Sequence, residues 1–306
     1  YTSSLRENFP EAYAKGRYAK AISVLSNRSP NLFVEPSWNR YLQIEPFSAD
    51  PLNESYQWWN FDVVNIPEAL DIIGQEAKPV NVAVLDTGSP YAVDPAFNRS
   101  IFDTQWGWDM VDNDALADDD EFPTGSFSHG THVGSTISML NDGLDGNGMA
   151  ARVTPIRVCA SGCPGSATYG AYLYLNGDAN DSLTTFAQRS AGQKIHSMNM
   201  SYGGSGGSAS SAACLKLGEL ADKGVLIASS SGNSGIGSVG WPSSCPKVYS
   251  VGATNGTDRR SSYSSTNEYV AFSAPGGEYS DWNADGIDDL VYAYARDDSY
   301  VQTSNN

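Results

Sequence analysis

The sequence predicts an α/β fold in which a parallel β-sheet lies between layers of helices. Short apolar runs with the length of strands alternate along the chain with helical stretches, which is the order of elements found in parallel sheets with crossover helices. The run at residues 80–85 is apolar almost without interruption, as expected of a strand that is buried on both faces.

The predicted elements follow one another over most of the chain. We predict strands at residues 80–85, 153–158, 195–200 and 225–228, and helices at residues 131–140 and 209–222, the second closed by Gly224. The Gly- and Ser-rich stretch at residues 203–211 lies between a strand and a helix, so it is predicted to be a loop and not a linker.

The first fifty residues differ from the rest of the chain. A helical stretch at residues 13–25 is followed by a turn and by a short extended run at residues 32–36. We therefore predict a small N-terminal module with a linker at residues 1–50 and one globular domain at residues 51–306.

The composition excludes two classes of partner. The chain has 306 residues, with 35 acidic and 18 basic side chains and a formal net charge of −17. Nucleic-acid binding depends on Lys and Arg, which are scarce and scattered here, so we expect no nucleic-acid partner. No apolar run reaches the roughly 20 residues of a membrane helix, so we expect a soluble chain without a membrane partner.

The four cysteines predict disulfides in an exported protein. Cys159, Cys163, Cys214 and Cys245 form an even set and lack the Cys-x-x-Cys spacing of a zinc site. Three pairings are possible; we favour Cys159 with Cys163 and Cys214 with Cys245, and buried free thiols are the alternative. A secreted protein, extracellular or periplasmic, follows from this interpretation.

Two polar side chains are candidates for a catalytic pair. Asp86 follows the strand at residues 80–85, and His129 opens the predicted helix, where Gly130 and Gly134 permit another chain segment to approach closely. A histidine that acts as general base needs a carboxylate on one ring nitrogen and a nucleophile at the other. We interpret His129 as the base and Asp86 as the orienting carboxylate, with a capping Asp as the alternative.

The other histidines are interpreted as structural. His132 and His196 each lie within a packed segment. A metal site at His129 and His132 is disfavoured, because no third ligand lies nearby in the sequence.

Asn233 is a candidate oxyanion donor. It follows a buried strand and is flanked by glycines, so its amide can be held at the end of that strand. A simple Asn turn is the alternative.

These segments resemble those of subtilisin-type serine proteases, the subtilases of peptidase family S8. The resemblance covers about residues 50–306 and keeps the family's order of motifs, which lie at residues 84–88, 129–133, 198–204, 231–233, 251–254 and 273–276. It implies a three-layer subtilisin-like fold around a mostly parallel sheet of about seven strands. It also implies a secreted serine endopeptidase that hydrolyses peptide or protein substrates through an Asp-His-Ser triad.

The resemblance assigns roles to individual residues. Asp86 would orient His129, His129 would be the general base, and Asn233 would donate to the oxyanion. The residues that would line the specificity pocket and pair with the substrate backbone are Ser201, Tyr202 and Gly203.

The sequence departs from the family at the nucleophile. The Gly-Thr-Ser-Met-Ala motif that carries the family's catalytic serine is absent, and Ser304 echoes it only weakly. We expect a serine C-terminal to Asn306, on a companion chain produced by cleavage; autocatalytic cleavage at an Asn-Gly bond would be one route. The alternatives are an inactive subtilase-fold binding protein, an inhibited zymogen, or, as a minor interpretation, a metal-dependent hydrolase.

The N-terminal module resembles the last part of a subtilase propeptide. Its helix, turn and strand at residues 1–50 are the kind of segment whose tail occupies the active site until it is removed. The chain would then be a zymogen; otherwise the segment is an N-terminal extension.

An acidic loop predicts structural calcium. Residues 281–289 carry oxygen ligands at loop positions 1, 3, 5, 7 and 9 with glycine at position 6, although the Glu usual at position 12 is replaced by Tyr292. The predicted ligands are Asp281, Asn283, Asp285, the Ile287 carbonyl and Asp289. An acidic surface turn is the alternative for this loop. Residues 140–148 resemble a second subtilase calcium loop more weakly, and we interpret the acidic run at residues 109–121 as a solvated face, with a third ion site as the alternative.

Overall fold

The computed structural model describes most of the predicted globular domain. The described residues are 57–73, 80–89, 102–119, 129–138, 148–149, 151–178, 186, 190, 193–204, 208–237, 239–282, 284, 286–294 and 300–303. The module predicted at residues 1–50, most of the loop at residues 140–148, and Ser304 lie outside this set, so these interpretations stay predictions.

One sheet of seven parallel strands forms the centre of the domain. Its strands are β1 (Asn81–Asp86), β2 (Trp108–Asp109), β3 (Arg152–Arg157), β4 (Ser197–Met200), β5 (Leu226–Ser230), β6 (Tyr249–Thr254) and β7 (Val270–Pro275). Their order is β2-β3-β1-β4-β5-β6-β7, and each neighbouring pair is parallel. The predicted α/β class and the parallel sheet of about seven strands are confirmed. A separate antiparallel pair follows, with strands β8 (Val291–Tyr294) and β9 (Tyr300–Thr303).

Helices lie on both faces of the sheet. They are α1 (Trp58–Val63), α2 (Ile66–Ile73), α3 (His129–Ser138), α4 (Gly165–Asn176) and α5 (Ala212–Asp222), with a 3₁₀ turn at Thr104–Trp106. Helix α3 contacts β1 and β3, while α4 packs on α5 and α5 on β5. None of the helices in the described ranges is long and apolar enough to cross a lipid bilayer.

Strand β1 takes part in two separate cores. Ala83 and Leu85 belong to the core that includes residues of α4 and α5, whereas Val82 and Val84 pack with Val133 of α3. Successive side chains of a strand point to opposite faces, so a strand between two helical layers must be apolar at every position. This is the physical reason for the uninterrupted apolar run that predicts the fold.

Both favoured disulfide pairings are confirmed. Cys159 is bonded to Cys163 in the turn after β3, and Cys214 of α5 is bonded to Cys245. The second bond joins α5 to the segment that precedes β6.

The interpretation of residues 109–121 as a solvated face is wrong for three of its acids. Asp109, Asp118 and Asp119 are buried, at 1%, 7% and 1% exposure. Asp109 is paired with Arg157, whose Nη1 lies 2.5 Å from Asp109 Oδ2 and 2.7 Å from Asp112 Oδ2. Arg157 is itself buried, so its charge has to be compensated by acids such as these.

The two partners of Arg157 should contribute very differently to stability. Asp109 is buried and Asp112 is 59% exposed. We expect Asp109→Asn to lower the free energy of unfolding by about 3–5 kcal/mol, because it removes the buried negative charge that is paired with the Arg157 guanidinium. The matched variant Asp112→Asn should cost about 1 kcal/mol or less. Urea unfolding followed by tryptophan fluorescence measures both, and equal losses would contradict this assignment.

Candidate active site

The predicted pair of Asp86 and His129 is brought together at the carboxyl end of β1. Asp86 is the last residue of β1 and His129 the first of α3. Asp86 Oδ1 lies 2.7 Å from His129 Nδ1 and also accepts a hydrogen bond of 2.8 Å from Thr87 N. Asp86 is 2% exposed, while the His129 side chain is 27% exposed. A buried carboxylate therefore holds one ring nitrogen of His129, and solvent can reach the imidazole.

Glycines permit the close approach of α3 to the end of β1, as the sequence predicts. Gly130 N donates to Thr87 Oγ1 at 2.8 Å, and a methyl group on Gly130 would collide with the Gly88 carbonyl oxygen. Gly88 has φ +120°, and a Cβ there would lie 2.8 Å from the Asp118 backbone. Three backbone segments thus meet at distances that leave no room for side chains, and α3 begins directly against the end of β1.

The surroundings favour the protonated form of His129. Burial lowers the pKa of His129, but the charge of Asp86, its hydrogen bond and the charge of Asp119 raise that pKa and prevail. The site is therefore suited to stabilise an imidazolium that forms during a reaction.

Asp119 is a site residue that our sequence reasoning missed. Its Oδ2 accepts hydrogen bonds from Thr131 Oγ1 at 3.0 Å and from Thr131 N at 3.4 Å. Burial, and then the charge of Asp86, raise the pKa of Asp119 to about 6, although hydrogen bonds from Thr131 and Thr87 lower it. No local pattern distinguishes Asp119 from the other acids of the run at residues 109–121.

A cleft of about 1000 Å³ brings the other predicted residues together. Ser201, Tyr202 and Gly203 line it together with Asn233. Val133 of α3 also lines the cleft, and it lies one helical turn after His129 on the same helix face. The cleft thus joins residues 201–203 and Asn233 to the helix that carries His129.

The cleft wall is supported by hydrogen bonds around residues 201–204. Asn199 Nδ2 donates to Ser201 Oγ at 2.9 Å. The Tyr202 hydroxyl lies 3.1 Å from that of Tyr172, and Gly204 and Trp241 exchange two backbone hydrogen bonds of 2.9 Å.

The predicted calcium loop is described in part. Asn283 and Asp285 lie outside the described residues, whereas Asp281, Ile287 and Asp289 lie within them. Among the residues that the structure describes, no group of three or more His, Cys, Asp or Glu side chains is arranged to hold a metal ion. The calcium site therefore stays a prediction.

The remaining histidines occupy structural positions. His132 is completely buried in α3, as expected of a packed segment. His196 is exposed, so that expectation is wrong for it, but its Nδ1 accepts a hydrogen bond of 3.0 Å from Asn81 N at the start of β1.

The sequence and the fold resemble those of known proteases. The sequence model of the "Subtilase family" matches residues 77–305. Alkaline elastase YaB of Bacillus sp. (strain YaB) is 30% identical over 218 residues, which are 71% of this chain and 50% of that protein. The minor extracellular protease Epr of Bacillus subtilis (strain 168) is 28% identical over 226 residues, 73% of this chain and 31% of Epr.

A solved structure of a protease from Pseudoalteromonas arctica PAMC 21717 has a similar fold. It superposes with a TM-score of 0.66 at 25% identity, over 84% of this chain and 82% of its own. The chain spans about half the length of alkaline elastase YaB and less than a third of Epr.

The close approach at Gly130 can be tested with a matched pair of glycines. We expect Gly130→Ala to lower the free energy of unfolding by about 1–3 kcal/mol, because the new methyl group meets the Gly88 backbone. Gly218→Ala in α5 is the control, since a Cβ there meets no atom within 4 Å. It should stabilise the protein by about 0.5–1 kcal/mol, the usual helix preference for Ala over Gly. Thermal denaturation measures both, and a neutral Gly130→Ala would refute the packing argument.

Proposed function

Because the chain belongs to the subtilase family of serine proteases, we propose that it acts as an endopeptidase on peptide or protein substrates through an Asp-His-Ser triad. The observation that carries this proposal is the 2.7 Å contact between Asp86 and His129. It supplies the oriented base that the reaction requires, beside a cleft large enough for a peptide.

Each residue of the pair has a defined task in the proposed reaction. His129 Nε2 takes the proton of the serine hydroxyl while the serine oxygen attacks the scissile carbonyl carbon, and it then gives that proton to the leaving amine. Asp86 holds the proton on Nδ1 and so leaves Nε2 available to accept one. Water then attacks the acyl-enzyme by the same steps, with His129 as the base, and the second product is released with the serine restored.

The cleft residues supply binding and charge stabilisation. Asn233 is exposed on the cleft wall, where its side-chain amide can donate to the oxyanion of the tetrahedral intermediate. The segment from Ser201 to Gly203 lines the same wall, and we assign to it the substrate backbone and the specificity pocket.

We further propose that the nucleophilic serine is supplied by sequence outside these 306 residues. The family's Gly-Thr-Ser-Met-Ala motif does not occur among them. The serine would lie either further along the same polypeptide or on a separate cleaved chain, and the experiment below distinguishes the two.

The open face of the sheet supports this proposal. Leu226, Tyr249 and Phe272 are 53%, 42% and 59% exposed. The strand register places them on the same face as Ala228 and Val251, which line the cleft. Parallel sheets are normally covered on both faces. A segment that carries the serine into the cleft would cover this apolar surface as well.

An extracellular location is part of the proposal. The described residues contain two disulfide bonds. Such bonds persist in oxidising environments and are rare in the reducing cytosol. The relative Epr is named an extracellular protease.

Covalent labelling of the full-length protein tests the proposed activity. We expect a fluorophosphonate probe to label one serine, which peptide mapping should place outside residues 1–306. His129→Ala should slow labelling by about 10³-fold or more, because the base is lost. His196→Asn is the control: the Asn side-chain oxygen can replace His196 Nδ1 as acceptor for Asn81 N, so labelling should persist.

Each other outcome contradicts part of the proposal. Label on Ser304 would place the nucleophile within this chain. Label that does not depend on His129 would refute the triad. A folded full-length protein that takes no label would favour the inactive binding protein or an inhibited zymogen. The mass of the labelled polypeptide shows whether the serine lies on a separate chain.

We also propose that the loop at residues 281–289 binds structural calcium. Asp281 Oδ2 accepts a hydrogen bond of 2.9 Å from Gly286 N, and Gly286 has φ +91°, as the sharp turn at position 6 of such a loop requires. Asp289 at position 9 is 3% exposed, and its Oδ2 accepts from Trp282 N at 3.0 Å. Both described carboxylates therefore turn toward their own loop, as calcium ligands do.

Removal of calcium should lower thermal stability. At a calcium concentration of about 100 times Kd, binding contributes about 2.7 kcal/mol, so chelation should lower Tm by roughly 5–10 °C. Asp281→Asn should weaken this response, whereas Asp114→Asn, an exposed acid outside the loop, should retain it. Differential scanning calorimetry with and without EGTA measures the shift. An identical response in both variants would exclude this loop as the site.

A further inference from the structure

Asp119 is a second buried carboxylate beside the catalytic histidine. It is 1% exposed, and its Oδ2 binds both the hydroxyl and the backbone N–H of Thr131. Thr131 is completely buried and lies two residues after His129 in the first turn of α3. Asp119 therefore satisfies donors of the helix turn that carries the imidazole.

The segment that carries Asp119 is joined to the end of β1. Asp119 N donates to the Ser89 carbonyl at 2.9 Å, and Ser89 N donates to the Ala117 carbonyl at 3.0 Å. Ser89 follows Asp86 by three residues. The Asp119 carboxylate is thus fixed to the strand that presents Asp86 and to the helix that presents His129.

The two carboxylates affect the protonation of the imidazole, and Asp86 affects that of Asp119. Burial lowers the pKa of His129, while the negative charges of Asp86 and Asp119 raise that pKa. Burial raises the pKa of Asp119, and repulsion from Asp86 raises it further, to about 6. Groups coupled in this way titrate together over a shared pH range.

Among the described residues, the other side-chain groups that act on Asp86 or Asp119 are hydroxyls. The hydroxyl of Thr87 faces Asp119, and the hydroxyl pair of Tyr202 and Tyr172 lies on the side of β4 near Asp86. Burial raises the pKa of both tyrosines, so they carry no charge at physiological pH. Within the described part of the chain, Asp86 and Asp119 are the acids whose charges act on His129.

We propose that Asp119 is a positioning residue, which holds the first turn of α3 in place and whose charge stabilises the imidazolium form of His129. This inference rests on the proposed role of His129 as general base. Asp86 touches the imidazole, whereas Asp119 acts through Thr131 and through its charge. When His129 takes a proton from the serine, two fixed negative charges would face the new positive charge.

Titration of the histidines by NMR tests the inference without any need for activity. The chain has only three histidines, of which His132 is completely buried and His196 is exposed. Asp119→Asn keeps an acceptor oxygen for Thr131 and removes the charge. We expect the His129 pKa to shift downward in this variant, because one of the two charges that raise it is lost. Asp114→Asn removes an exposed charge elsewhere and should leave the His129 pKa unchanged.

A measurement on the unmodified protein keeps the test valid if Asp119→Asn does not fold. The Asp119 Cγ resonance should titrate near pH 6, and the His129 curve should inflect over the same range. Asp86→Asn should shift the Asp119 titration to lower pH, since it removes a repelling charge. An Asp119 that titrates without any effect on His129 would overturn the inference.

Activity of the full-length protein gives a second readout. General-base catalysis requires neutral His129, so the acid limb of the kcat/KM profile follows the His129 pKa. We expect Asp119→Asn to move that limb to lower pH, and kcat to fall more than KM changes. Loss of stability with an unchanged His129 pKa would mean that Asp119 only caps the helix. If no hydrolysis is found but the NMR shift is present, the proposed function fails while the placement of Asp119 stands.

Discussion

The close approach of α3 to the carboxyl end of β1 is the constraint on which the site depends. Gly88 and Gly130 meet there at backbone contact distance, and Asp118 closes the third side. A Cβ at Gly130 would push the helix away from the end of the strand, and the hydrogen bond between His129 and Asp86 would lengthen with it. A Cβ at Gly88 would collide with the Asp118 backbone. The geometry of the proposed catalytic pair therefore follows from packing that admits no side chain, and the contact between Asp86 and His129 completes it.

Buried carboxylates are held in this acidic protein by different means. Asp109 has a buried guanidinium partner in Arg157, Asp86 has the imidazole of His129, and Asp119 has the donors of Thr131. A buried charge is tolerated only when it is paired or hydrogen-bonded. The net charge of −17 thus includes buried acids, of which Asp86 and Asp109 are the last residues of their strands.

The sequence predicts the elements that have a clear local pattern. Strand β1 and helix α5 are predicted within about three residues, because one is apolar throughout and the other ends at Gly224, which has φ +90°. Helix α4, of sequence Gly-Ser-Ala-Thr-Tyr-Gly-Ala-Tyr-Leu-Tyr-Leu-Asn, is not predicted: its small and aromatic residues show no helical period, and its stability comes from packing. Asp119 is missed for a related reason, since burial by distant segments leaves no trace in the residues beside it.

The sequence by itself determines the α/β class, the pairing of Asp86 with His129 and the family, because each depends on short motifs whose order is preserved along the chain. Only the tertiary structure decides which acids are buried, that Asp119 lies behind the histidine, and that residues 201–203 and Asn233 share one cleft. The physical reason is that protonation and pocket shape depend on the distances between segments far apart in sequence, and those distances exist only when the sheet has assembled.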